Sequence, residues 1–259
     1  MIAPAPPTVK ILATAALVMV SGSMPAVLAA QTPVLELDHF YVVVPPGASA
    51  AAQALRRAGL VIDPRVARHG GEGTASIAAF FENSYLELLW VDSSVAVDSA
   101  HHQVLADFQR AAAWRESGAS PFGVGLHFLS GSPAELGFPV RIDSAPDISP
   151  DTWYILLRQP AESLAVDLFI MPDNRAVNTW LPRFRSHRPD LLAHPMGSRR
   201  ITRIEIHGPP AQRPHAADLD LRLIQFEPAP EAYVVIELDG GQLGQVWDFR
   251  PELPLVLQH

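Results

Sequence analysis

Along most of the chain, apolar and β-branched residues come in short runs cut by proline, glycine and small polar clusters, which predicts strands joined by turns. Val34 to Val44 is one such run, closed by Pro45-Pro46-Gly47. Ser49 to Ala58 is rich in alanine and leucine and is followed by Gly59, a helix with a glycine stop. A short strand is expected near Val61. Ala75–Phe81 and Tyr85–Val91 then read as two strands joined by Glu82-Asn83-Ser84. Residues 34–91 therefore spell a βαβββ unit.

Helical spacing of Leu105, Phe108, Ala112 and Arg115 predicts one amphipathic helix over 100–116, within a connection spanning 92–121. Strands are expected again at Gly123–Leu129, Trp153–Leu157 and Leu164–Met171. Two proline-punctuated stretches, Gly131–Pro150 and Pro172–Pro195, read as loop, the second wrapping the surface. The last block carries strands at Ile201–His207, Leu219–Phe226, Tyr233–Leu238 and Leu253–Leu257. Residues 122–259 are thus a second β-rich region, and the fold class is α+β.

Side chains alternate along a strand, so a polar residue on an apolar face needs a reason. Simple alternation puts Leu35, Leu37, His39 and Tyr41 on one face of the first strand, with Glu36, Asp38, Phe40 and Val42 on the other. Tyr85, Glu87 and Leu89 share a face of the hairpin strand. His39 and Glu87 both stand among bulky apolar neighbours, where an unpartnered carboxylate is costly. A hydrogen-bonded histidine and an edge glutamate would also satisfy this pattern. His127 is a third candidate, with Gly123 and Gly125 on its face leaving room for a close approach. Glu237, in Tyr233–Leu238, repeats the Glu87 pattern. His207 shares its face with Glu205 and Arg203, which reads as solvated. Trp90, Trp153, Phe80 and Tyr85 are candidate cleft walls.

Composition narrows the chemistry. The chain of 259 residues has no cysteine, and Lys10 is its only lysine among nineteen basic residues. Thiolate, disulfide, iron–sulfur, P-loop lysine and Schiff-base chemistry are all excluded from the folded body. Histidine, carboxylate, hydroxyl and metal chemistry remain. The formal net charge of −8 argues against nucleic acid as a partner. No H-E-x-x-H, G-x-S-x-G or G-x-G-x-x-G motif occurs.

Residues 1–30 differ from the rest. Lys10, the apolar run Ile11–Val20 and the small residues Ala26-Val27-Leu28-Ala29-Ala30 have the form of a signal peptide, with cleavage near Ala29 or Ala30. That expectation implies a periplasmic or secreted protein with no stable membrane anchor after cleavage. Without cysteine there is no lipobox.

Leu37-Asp38-His39-Phe40, the helix end Leu55-Arg-Arg-Ala-Gly-Leu60, His69-Gly-Gly-Glu-Gly-Thr74 and Tyr85-Leu-Glu-Leu88 together resemble a glyoxalase-like domain of the vicinal-oxygen-chelate superfamily. Leu168-Phe-Ile170, His194-Pro-Met-Gly197 and Arg200-Ile-Thr-Arg-Ile204 resemble its later part less clearly. The resemblance implies paired βαβββ modules whose curved mixed sheets enclose a cleft, here with extra C-terminal strands. It further implies metal ligands on the first and last strands of each module. These carry over to His39 and Glu87 in the first module and His127 in the second, with Asp167 or Glu237 as the closing carboxylate. If residues 201–257 form the second module instead, Glu237 and His207 replace His127. The implied cofactor is a divalent ion such as zinc, manganese, iron(II) or nickel, with Glu87 or Glu237 moving a proton. The implied activity is that of a lyase, isomerase or dioxygenase on a small oxygenated molecule. The alternative is a metal-free binder of a small ligand in the same cleft. Whether the chain forms a homodimer stays open.

Overall fold

The computed structural model describes residues 33–137, 140–144, 153–157 and 164–259, so the expected signal segment at 1–30 lies outside the described residues. The first apolar run forms β1 (Val34–Val43), and the alanine-rich segment forms α1 (Ser49–Arg57), which buries Ala51, Ala52 and Leu55. Three strands follow: β2 (Ala67–His69), β3 (Thr74–Phe80) and β4 (Tyr85–Val91). The strand expected near Val61 does not form. There the Val61 N–H donates to His194 Nδ1 at 3.0 Å, outside any ladder, and the second strand, β2, begins six residues later.

The helix expected over 100–116 is broken in two, α2 (His102–Ala112) and α3 (Trp114–Ser117), because Ala113 leaves the helical region at φ −98°, ψ 35°. Next come β5 (Phe122–Ser130), β6 (Arg141–Ser144), β7 (Trp153–Leu156) and β8 (Asp167–Ile170). The segment expected to wrap the surface instead carries α4 (Val177–His187), which tolerates Pro182 in its interior and buries Val177 and Leu181. The C-terminal strands are β9 (Ile201–Gly208), β10 (Ile224–Pro228), β11 (Tyr233–Leu238), β12 (Val246–Asp248) and β13 (Leu255–Gln258).

The fold is α+β with two mixed sheets. Eight strands follow the order β2-β3-β4-β1-β5-β8-β7-β6, and five follow β10-β9-β11-β13-β12. In the larger sheet β1 runs parallel to β4, β5 runs parallel to β8, and β1 and β5 meet antiparallel at its centre. Strands β5–β8 therefore continue the sheet that β1–β4 begin. Residues 201–258 build the smaller sheet and do not complete the first.

The first strand departs from simple alternation. Leu37 pairs with Leu126 and His39 with Gly125, so Asp38 is an extra residue bulged out of the ladder. A bulge shifts every later side chain to the opposite face. Leu35 and Leu37 before it, and Phe40 and Val42 after it, all enter one core with Leu55, Leu86, Leu88, Val124 and Leu168. Each such side chain contributes about 1.5–3 kcal/mol over its exposed state, which pins the register on both sides of the bulge. His39 and Tyr41 thereby leave the face of Leu35 and Leu37 and turn to the other side of the sheet. That core continues into Ile204, Ile206, Val234, Ile236 and Leu255 of the smaller sheet.

Candidate active site

The non-core face of the eight-stranded sheet carries a cavity of about 220 Å³ lined by residues of β1, β4 and β8, by α2 and by Arg175. Its floor can be read from the register. Tyr41 pairs with Glu87 on one side and Gly123 on the other, and Gly123 pairs with Asp167, which gives one row across four strands. His39, Gly125 and Phe169 form a second row across β1, β5 and β8. Both glycines lie under rings. A Cβ on Gly125 would fall 2.5 Å from His39 Cε1, and one on Gly123 would fall 2.0 Å from Tyr41 Cζ. The glycines were expected to permit a close approach, and what approaches is the chain's own His39 and Tyr41.

His39 is buried, with Nδ1 bonded to Asp38 Oδ1 at 2.8 Å. Asp38 has no exposed surface; its Oδ2 accepts the Val177 N–H at 2.5 Å, so the bulged residue also ties β1 to the start of α4. With Nδ1 engaged, Nε2 points at Glu87 Oε2, 3.9 Å away. Burial opposes charge on the His39 ring, but the hydrogen bond to Asp38 and the charges of Asp38 and Glu87 outweigh it and raise its pKa. Tyr85 stacks on the same ring, with centroids 4.6 Å apart, and Phe169 meets it edge-on at 5.4 Å. Burial, and then the nearby carboxylates of Glu87 and Asp38, push the Tyr85 phenol well above its ordinary pKa.

Glu87 is fixed from the neighbouring strand, where the Ser76 hydroxyl donates a very short hydrogen bond to Oε1. His69 Nε2 lies 3.7 Å from the same oxygen. Both His69 nitrogens already meet protein hydroxyls, Thr74 at 3.1 Å through Nδ1 and Ser76 at 3.3 Å through Nε2. Further along the same row Tyr41 donates to Asp167 Oδ2 at 3.0 Å.

The structure therefore brings His39 and Glu87 together, places Asp167, one of the two candidate closing carboxylates, in the same cavity, and adds Asp38, His69 and Arg175 around them. His127 does not line this cavity. It lies further along β5, buried, with Nδ1 3.6 Å from Asp38 Oδ2 and Nε2 3.6 Å from Glu36 Oε2. Glu237 is on the smaller sheet, where it accepts from Thr202 Oγ1 at 2.9 Å and Arg203 Nη2 at 3.1 Å. His207 stacks on Tyr233 in that sheet. Of the candidate walls, Tyr85 lines the cavity, Phe80 packs behind it, Trp90 belongs to the core, and the Trp153 side chain lies outside the described residues. Among the described residues no three His, Cys, Asp or Glu side chains converge closely enough to hold a metal ion.

Of the three residues that sequence reasoning missed, two had partial signals. Asp38 and His69 stood inside the family-like motifs, and only the bulge reveals what Asp38 holds. Arg175 fell in a proline-bounded segment that gave no helical pattern.

Comparison with known proteins yields a family match over residues 37–126, to a model described as a glyoxalase-like domain. That span opens at Leu37, beside the bulge, and ends at Leu126. No curated protein matches the sequence. Among solved structures, one titled a hypothetical protein from Staphylococcus aureus is similar at 10% identity and a TM-score of 0.45, covering 87% of this chain and 99% of that one.

Proposed function

We propose, from the premise that the chain carries a glyoxalase-like domain of the vicinal-oxygen-chelate superfamily over residues 37–126, that it is an enzyme moving a proton on a small oxygenated molecule. The observation that carries this reading is the facing pair His39 Nε2 and Glu87 Oε2, 3.9 Å apart in a cleft, with His39 held from behind by Asp38. Strands β1–β4 with α1 then form one βαβββ module. Strands β5–β8 form its partner, with the short turn Pro133–Glu135 standing where the helix would be.

The chemistry suited to this pair is proton abstraction next to a carbonyl, of the isomerase or lyase type. Glu87 Oε2 takes the proton from carbon, and the C–H electrons move through the new C=C bond onto the carbonyl oxygen. His39, whose charged form its carboxylate neighbours favour, donates the Nε2 proton to that oxygen. Glu87 then returns the proton to the former carbonyl carbon, while the hydroxyl on the carbon first deprotonated gives its proton back to His39 Nε2 and becomes the new carbonyl. That completes an isomerisation and restores both residues. Ser76 holds the base in place, while Tyr85 and Phe169 shield the imidazole from water.

A divalent metal would find two donors here, His39 Nε2 and Glu87 Oε2. Catalytic zinc sites commonly have about three protein ligands, and His69 is held by hydroxyls while His127 lies elsewhere. The set fits a resident catalytic metal poorly.

The test uses full-length protein purified without a histidine tag. Metal content is measured first, and then exchange of carbon-bound protons in D₂O is followed by NMR across a panel of small 2-hydroxy and 2-oxo carbonyl compounds. Exchange of at least one compound, by protein lacking stoichiometric metal, is the expected result. Stoichiometric metal that disappears in both His39→Ala and Glu87→Ala would replace this reading with the metal-dependent one. Tight binding of a compound without exchange would favour the ligand-binding alternative.

A further inference from the structure

Arg175 is a fixed cation on the cleft wall that makes no ion pair with any described residue. Its backbone is held at both ends, the N–H donating to Pro172 O at 2.9 Å and the carbonyl accepting Trp180 Nε1–H at 3.1 Å. Its guanidinium donates through Nη1 to the Tyr154 hydroxyl at 3.0 Å. A guanidinium carries five N–H donors in a planar fork, so this bond leaves most of them for another acceptor. Glu72, Glu87 and Asp167 share the cleft, yet no described carboxylate comes within 4.0 Å of Arg175, and Asp167 is engaged by Tyr41 instead.

Arg175 is half-buried on the wall of a cavity of about 220 Å³, where a charge-assisted, bidentate bond to an anion is stronger than in open water. That volume is below the roughly 300–1,000 Å³ of pockets for drug-sized ligands. Stepping stones lead from this cation to the catalytic pair. The Tyr154 ring lies 6.3 Å from Phe169, and Phe169 lies 5.4 Å from His39. The three carboxylates already in the cleft disfavour a multiply charged ligand such as a phosphate ester. A planar monoanion matches the fork in shape and charge.

We propose that the cleft binds a small organic acid, its carboxylate on Arg175 and its oxygenated carbon between His39 and Glu87. The position of the second end rests on the proton-transfer reading, whereas the anion subsite stands on Arg175 alone. The experiment compares three- to six-carbon 2-hydroxy and 2-oxo acids with their primary amides, titrated by NMR into the full-length protein. Acids are expected to bind at least about tenfold tighter than the matched amides, and Arg175→Gln to erase that preference while His39→Gln keeps it.

Equal binding of acid and amide, absence of acid binding at millimolar concentration, or a preference that survives in folded Arg175→Gln would each overturn the proposal. The acid–amide comparison in the unaltered protein keeps the test decisive even if Arg175→Gln fails to fold. An acid preference without any proton exchange would overturn only the proton-transfer reading and leave the anion subsite standing.

Discussion

The imidazole of His39 occupies the space above Gly125 that any side chain there would need, with the missing Cβ position 2.5 Å from Cε1. A glycine on the central strand β5 thus sets where a ring from β1 can lie. Replacing Gly125 with alanine should push that ring off Glu87 and cost about 1–3 kcal/mol of stability by overpacking. Thermal melts and the His39 ring resonances check this. An unshifted ring with unchanged stability would contradict the packing described here.

Asp38 connects the bulge, the imidazole and the first turn of α4 through its two oxygens. Asp38→Asn keeps an acceptor but removes the charge, so the ordinary cost of weakening a buried hydrogen bond, about 1–3 kcal/mol, is expected. The His39 pKa should fall in this variant, because burial then acts against fewer opposing carboxylates. Titration of the His39 ring by NMR reads the shift directly, and an unchanged midpoint would contradict it.

Two buried histidines give stability opposite pH dependences. His39 has a raised folded pKa, so its contribution is full below the ordinary value of 6.5 and is lost as pH rises through the folded value. His194 has a lowered one, because burial outweighs the hydrogen bond its Nε2 donates to Phe80 O at 3.0 Å. Its contribution is present above 6.5 and is lost as pH falls through the folded value. Melting curves over roughly pH 5 to 9 should lose alkaline slope in His39→Gln and acid slope in His194→Gln. Parallel curves for all three proteins would refute both assignments.

Glu237, the other acid flanked by apolar residues on a strand, pairs with Arg203 and Thr202 on the smaller sheet. Glu237→Gln should leave proton exchange unchanged and cost at most about 1 kcal/mol, as for a half-exposed ion pair. Loss of exchange in this variant would mean that the smaller sheet takes part in the chemistry.

Much of this fold is legible in the sequence, because apolar runs bounded by turn residues mark β1, α1, β3, β4, β5 and β11 nearly to the residue. His39 and Glu87 are legible for the same reason, as polar residues among bulky apolar ones. Alternation alone assigns the first strand's faces wrongly past Leu37, since an inserted residue leaves no mark in a local pattern and only the partner strand reveals it. Helix α4 is hidden by Pro182 and by flanking prolines, and Arg175 is hidden with it. Glu87 and Glu237 look alike in sequence. Their difference lies in what faces them across strands far apart in the chain, Ser76 and His39 for one and Arg203 for the other.

The proton-exchange rate of Glu87→Gln, measured on the compound that the unaltered protein exchanges, tests the proposed chemistry most directly. Removal of the base should lower the rate by about 10²–10⁴-fold while binding of the compound persists. Exchange that continues within about threefold of the unaltered rate in a folded, ligand-binding Glu87→Gln protein would contradict it.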